Sequence, residues 1–225
     1  MAPNGRAIAY VAAEGGIRLR DLATLEEREV PGTGGANTPD FARPVFSPDG
    51  RSLAYVSRDE IVRVDLDGGS RTVVTRTDAD SLNWGTDGTL LIGARDAIMR
   101  VAATGGTPQE VLKREPGETL YGPVPLPDGD GILFTAVRDA KSQVDVVSLS
   151  TRARHVVLQK GGEARFVPPG HLVYAIADRL MAIRFDPKTF ARRVSLPRCF
   201  RVCVRSPPSR PICLASTSKS RTTVR

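Results

Sequence analysis

Short apolar runs recur along the chain, and each is entered from a turn rich in proline and glycine. AIAYV follows Pro3-Asn4-Gly5, LAYV follows Ser47-Pro48-Asp49-Gly50, and LLIGA follows Gly85-Thr86-Asp87-Gly88. ILFTA then follows Leu126-Pro127-Asp128-Gly129, and LVYA follows Pro168-Pro169-Gly170. The anchoring glycines Gly5, Gly50, Gly88, Gly129 and Gly170 are 45, 38, 41 and 41 residues apart. A period of roughly 40 residues with several short strands per unit is the pattern of a β-propeller.

Each unit repeats one order of elements. In the second, ARPVF is a first strand, the Pro-Asp-Gly turn follows, SLAYVS is a second strand and EIVRVDL a third. Asp67-Gly68-Gly69 then turns the chain into SRTVVT, an outer fourth strand. Leu53, Ala54, Tyr55 and Val56 are apolar without alternation, so both faces of that strand are expected to be buried between stacked sheets. Fourth strands mix Arg, Thr, Gln and Glu with Val and Leu, which suits a half-wet edge. With 21 glycines and 17 prolines in 225 residues, no stretch is left for a long helical stripe. The pattern predicts an all-β chain, a β-propeller arc of about five four-stranded antiparallel blades. Inner strands fall near 44–47, 81–84, 122–125 and 164–167. The arc is expected to be incomplete, with blade one lacking its first strand and blade five its fourth, leaving apolar faces open at both ends.

Charge divides the chain at about residue 190. Residues 1–190 hold 23 Lys and Arg against all 25 acids, a net of −2, whereas 191–225 is +9 without one acid. The sequence pI of about 9.8 therefore describes the tail, not the body. The expected organisation is a partial propeller over 1–190 and a basic tail over 191–225, disordered or read in a shifted frame, that packs against nothing. All three cysteines, Cys199, Cys203 and Cys213, lie in that tail, and their spacing does not match a zinc site. No run reaches the roughly 18 apolar residues of a membrane-spanning helix, and the N-terminal apolar run is shorter than a signal-peptide core. The chain as encoded is expected to be cytoplasmic.

FSPDGRSLAYVS resembles the WD40-like propeller repeats of the TolB type. GGEARFVPPGHLVYAIADRLMAIRFDPKTF resembles the late blades of propellers attached downstream of the kinase and membrane segment in bacterial serine/threonine protein kinases, and GIRLRDLATLEEREVPGT fits the same group. The resemblance covers about 1–190 and implies an extracytoplasmic sensing or interaction domain in a parent protein. The chain itself carries no kinase signature; Asp40-Phe41-Ala42 lacks the glycine of the metal-binding motif.

No residue is assigned a catalytic, cofactor-binding or metal-binding role, and no G-x-S-x-G elbow occurs. Asp49, Asp87 and Asp128 read as turn-forming carboxylates rather than a ligand ring. His155 and His171 sit in different blades without an evident partner. Asp65-Leu66-Asp67-Gly68 lacks the later ligands of a calcium loop. Trp84 reads as packing beside the axis. Arg63, Arg100 and Arg184 recur in IVRV, IMRV and AIRF, and their recurrence predicts one ring of equivalent positions. The functional expectation is a non-catalytic interaction or sensor module that binds protein or peptide through a propeller loop face. The alternatives are the non-catalytic propeller of a serine peptidase, or nucleic-acid binding through the basic tail. Self-association through open propeller ends is also expected.

Overall fold

The computed structural model describes residues 1–34, 43–127 and 129–201, with 193–201 described by backbone alone. Those residues form strands and turns without a helix. The strands fall into five small antiparallel sheets, each contiguous in sequence. Blade one has three strands, β1 (Ala7–Val11), β2 (Ile17–Asp21) and β3 (Glu27–Glu29). Blade two has β4 (Val45–Phe46), β5 (Ser52–Ser57), β6 (Glu60–Asp65) and β7 (Arg71–Arg76). Blade three has β8 (Ser81–Trp84), β9 (Thr89–Gly93), β10 (Ala97–Ala102) and β11 (Gln109–Lys113). Blade four has β12 (Glu118–Pro125), β13 (Gly131–Arg138), β14 (Lys141–Ser148) and β15 (Arg154–Leu158). Blade five has β16 (Gly162–Val167), β17 (His171–Ile176), β18 (Arg179–Phe185) and β19 (Arg192–Arg201). The inner strands β4, β8, β12 and β16 lie where the turn spacing puts them.

The Pro-x-Gly turn makes each first hairpin. In blade two, Ser47 N–H donates to the Ser52 carbonyl at 2.9 Å and Gly50 N–H to the Ser47 carbonyl at 2.9 Å. Gly50 has φ +73°, a left-handed conformation that costs a residue with a Cβ but not glycine. Asp49 locks the same turn, accepting from Ser47 Oγ at 2.5 Å and from Arg51 N–H at 3.0 Å. Between blades one and two the backbones themselves meet: a Cβ on Gly69, at φ +65°, would sit 2.6 Å from Pro31 Cβ.

Four apolar cores chain the five sheets together. Ile17, Leu19, Leu53 and Tyr55 fill the space between blades one and two. Ala54, Val56, Leu90 and Ile92 fill that between two and three. Leu91, Ile98, Ile132 and Phe134 join three to four, and Leu133, Val146, Leu172 and Phe185 join four to five. Leu53 through Val56 are all buried and alternate between two of these cores, as their unbroken apolar run requires. Among the described residues no such core joins blade five to blade one.

Two expectations about the ends are corrected. Blade five has a fourth strand: β19 pairs antiparallel with β18 from Phe185↔Arg192 to Arg179↔Arg201. Residues 192–201 therefore do not stand free but form the edge of the sheet, a position that tolerates charge. Residues 202–225, with Cys203 and Cys213, lie outside the described residues, as does Asp40-Phe41-Ala42. At the other end, the outer face of blade one is not apolar. Strand alternation sends Ala9, Ile17 and Leu19 toward blade two and leaves Ile8, Tyr10, Arg18 and Arg20 on the far side. Glu27 and Glu29 lie opposite those arginines in β3. Arg18 pairs with Glu14 at 2.5 Å and Arg20 with Glu27 at 3.5 Å, so an ionic layer covers that face.

Candidate functional site

The candidate site grows from an oddity of blade four. β13 and β14 pair over eight residues each, from Gly131↔Ser148 to Arg138↔Lys141, whereas β5 and β6 pair over six. The extra length carries a hairpin beyond the neighbouring sheets, and its tip, Asp139-Ala140, has φ of +50° and +59°. Left-handed conformation at both central residues is the two-residue turn that matches strand twist, and it is strained for a residue other than glycine.

The face of this hairpin that looks toward blade three changes from apolar to ionic along its length. Ile132 and Phe134 are buried in the core with blade three. Beyond them, cross-strand pairing puts Asp145 opposite Phe134, Gln143 opposite Ala136 and Glu118 opposite Arg138. Arg154 crosses from β15 to gather these groups. Its Nε donates to Asp145 Oδ2 at 2.7 Å, and its two terminal nitrogens donate to Glu118 at 2.6 and 2.9 Å. The Gln143 amide donates to both Asp145 oxygens at 3.0 Å, and Glu115 N–H donates to Glu118 Oε2 at 3.2 Å. The guanidinium also lies 5.1 Å from the Phe134 ring centroid. The side chains are deeply placed, with Asp145 0% and Glu118 4% exposed, against 19% for Arg154.

Two carboxylates on one guanidinium leave the group one negative charge in excess, and every charged oxygen has a donor. Hydrogen bonds from Arg154 outweigh desolvation and hold the Glu118 carboxyl below its usual value. Glu118 in turn, with Asp145, raises Arg154 despite desolvation. This network is the floor of a cleft of about 490 Å³. Its rim carries Arg138, Lys141, Asp139 and Glu115, with Arg138 bound to Glu115 at 2.6 Å, and the half-exposed Val156. The floor holds shape and charge, and the rim offers groups that a partner can reach.

The residues singled out in the sequence are dispersed. Asp49 and Asp87 are turn carboxylates, as expected. Asp87, despite desolvation, sits below its usual value because Thr89 and Arg100 donate to it. Asp128 lies outside the described residues. His155 is exposed with its ring 6.1 Å from Phe190, and His171 is half-buried at the start of β17. Asp65 accepts from the Ser52 hydroxyl and the Arg63 guanidinium, and no metal-binding cluster occurs among the described residues. Trp84 is half-buried against the core between blades two and three.

The ring of arginines holds for only two members. Arg63 donates to Ser52 Oγ at 3.3 Å and Arg100 to Thr89 Oγ1 at 3.1 Å, at matching positions. Arg184 lies opposite His171, the first residue of β17. The residue in that place is Asp65 in blade two and Ala102 in blade three, so Arg184 is displaced by two positions.

The carboxylates shift stability with pH in one direction. Asp49, held down first by Ser47, Asp65, held down first by Ser52, and Glu118 all have folded-state values below their unfolded ones. Each stabilises the fold above its unfolded value, and that contribution is lost as pH falls through the depressed value. Thermal melting should be flat above about pH 5 and fall steeply below about pH 4. A melting temperature constant down to about pH 3 would refute the assignment.

No protein-family model and no curated protein matches the chain. Solved structures do. TolB from Acinetobacter baumannii superposes with a TM-score of 0.64 at 21% identity, over 85% of this chain and 51% of TolB. The fold is that of a TolB-type β-propeller. A putative TolB from Agrobacterium tumefaciens gives 0.61 at 20% identity, over 79% of this chain and 67% of its own. An oligogalacturonate lyase from Vibrio parahaemolyticus gives 0.62 at 15% identity, over 86% and 63%. The chain thus spans about half the length of the A. baumannii TolB. The propeller architecture is shared by non-enzymes and enzymes, so it is the site and not the fold that must carry a functional argument.

Proposed function

We propose that this chain is a non-catalytic interaction module that binds protein or peptide at the cleft beside the long hairpin of blade four. The supporting observation is the division of labour within the cleft. Glu118, Asp145 and Arg154 are consumed by one another, so none is free to act as acid, base or nucleophile. Lys141 and Arg138, the latter shared with the exposed Glu115, stand on the rim above that floor, next to the exposed Val156. Such a rim fits an extended segment that brings a carboxylate to the two cations and an apolar side chain to Val156.

A fluorescence-polarisation screen of acidic-apolar peptides against the purified chain tests this. A retained peptide should lose about tenfold or more in affinity in the Arg138→Ala, Lys141→Ala double variant. Undiminished binding by that variant, or no peptide retained, would refute the reading. Descent from a kinase-linked sensor belongs to the same proposal and rests on the sequence resemblance of blade five; the reading frames flanking the gene decide it.

A further inference from the structure

The two outer faces of the five-sheet stack are chemically unlike, and they match each other. In blade five, Leu172, Tyr174, Ile183 and Phe185 enter the core with blade four. Alternation leaves Val173, Ala175, Leu180 and Ala182 on the opposite face, and none of them is buried. Arg184 and Arg165 flank this apolar strip, with Glu163 the acid nearby. The outer face of blade one offers Ile8 and Tyr10 within a frame of Glu14, Glu27 and Glu29 against Arg18 and Arg20. That face has an excess of acid, and the far face of blade five has an excess of base. One donor of the blade-one layer, Arg20 Nε, is buried without an acceptor.

We propose that the chain associates head to tail, the far face of blade five in one copy stacking on the outer face of blade one in a second. Within the chain, every blade packs its later face on the earlier face of the next, and this contact continues the same stacking across two molecules. The interface is heterologous, so association either closes a ring or grows with concentration. It goes beyond the peptide-binding reading and uses none of the cleft residues.

Sedimentation velocity of the full chain from about 1 to 100 μM tests it. Species heavier than the 24.2 kDa chain should increase with concentration. Arg184→Glu and, separately, Glu29→Lys should each weaken association about tenfold or more, and mixing the two variants should restore it, because each then supplies the other's complementary face. Both positions are exposed at sheet surfaces, and the circular dichroism of each variant should match that of the parent. A monomer at every concentration, association unchanged in either variant, or no recovery on mixing would overturn the proposal.

Discussion

Replacing Arg154 with methionine is expected to destabilise the protein by about 3–5 kcal/mol, the range found when one partner of a buried ion pair is removed. The substitution keeps much of the side-chain volume over Phe134 but strands two buried carboxylates, Glu118 and Asp145, that have no other cation within hydrogen-bond reach among the described residues. Net stabilities of domains are about 5–15 kcal/mol, so the variant should sit near the edge of folding. Arg154→Lys retains the charge but not the fork that reaches both carboxylates, and should fall between the two. Urea midpoints of the three proteins measure the series. A methionine variant within about 0.5 kcal/mol of the parent would mean that the carboxylates find other partners.

The pH dependence separates a lost ion pair from simple loss of packing. With Arg154 in place, Glu118 has a depressed folded value, and its contribution disappears as pH falls. Without the guanidinium, burial outweighs the one remaining backbone donor at Glu118 and raises its folded value above the unfolded one. The folded variant then takes up protons more readily than the unfolded chain, so it gains stability as pH falls through the raised value. The deficit of Arg154→Met should therefore shrink from pH 7 toward pH 4. A packing defect would leave it constant.

Turn chemistry made the blades legible. A Pro-x-Gly turn dictates local backbone geometry, and its recurrence gave each inner strand to within a few residues, while the unbroken run Leu53–Val56 announced a strand buried on both faces. The β19 strand is not legible in composition, because composition is no proxy for order. Four arginines and Pro197 in ten residues look unlike a strand, yet an edge strand needs few apolar positions and can place proline. The displacement of Arg184 escaped because motif counting ignores register: Ala182, not Arg184, occupies the place of Arg63 and Arg100. The ionic floor did leave a signal. Gln143 and Asp145 alternate with Val144, Val146 and Val147 in a strand too apolar to be exposed, and a buried acid there requires a cation nearby. Which arginine supplies it depends on the crossing from β15, a tertiary fact.

Leu172→Ala should uncouple blade five from the rest of the propeller. Leu172 is 0% exposed in the core shared by blades four and five, and truncating a buried leucine costs about 2–5 kcal/mol, depending on how far the cavity collapses. In a two-layer globule that loss spreads over one cooperative core. Here the cores are serial, each joining only adjacent sheets, so stability approximates a sum of sheet terms and nearest-neighbour interfaces. Blade five has one such interface, because no core joins it to blade one among the described residues. It has no second neighbour to hold it once the first contact weakens. Hydrogen exchange should therefore show amides of 162–201 losing protection by about 30-fold or more, with β5, β6, β9 and β10 little changed. The equivalent Leu90→Ala, in the core between blades two and three, should instead lower protection on both sides of the cut, since it divides the stack in the middle. Equal loss of protection throughout the chain in Leu172→Ala would mean that the five sheets unfold as one unit, and that blade five is anchored by something other than its core with blade four.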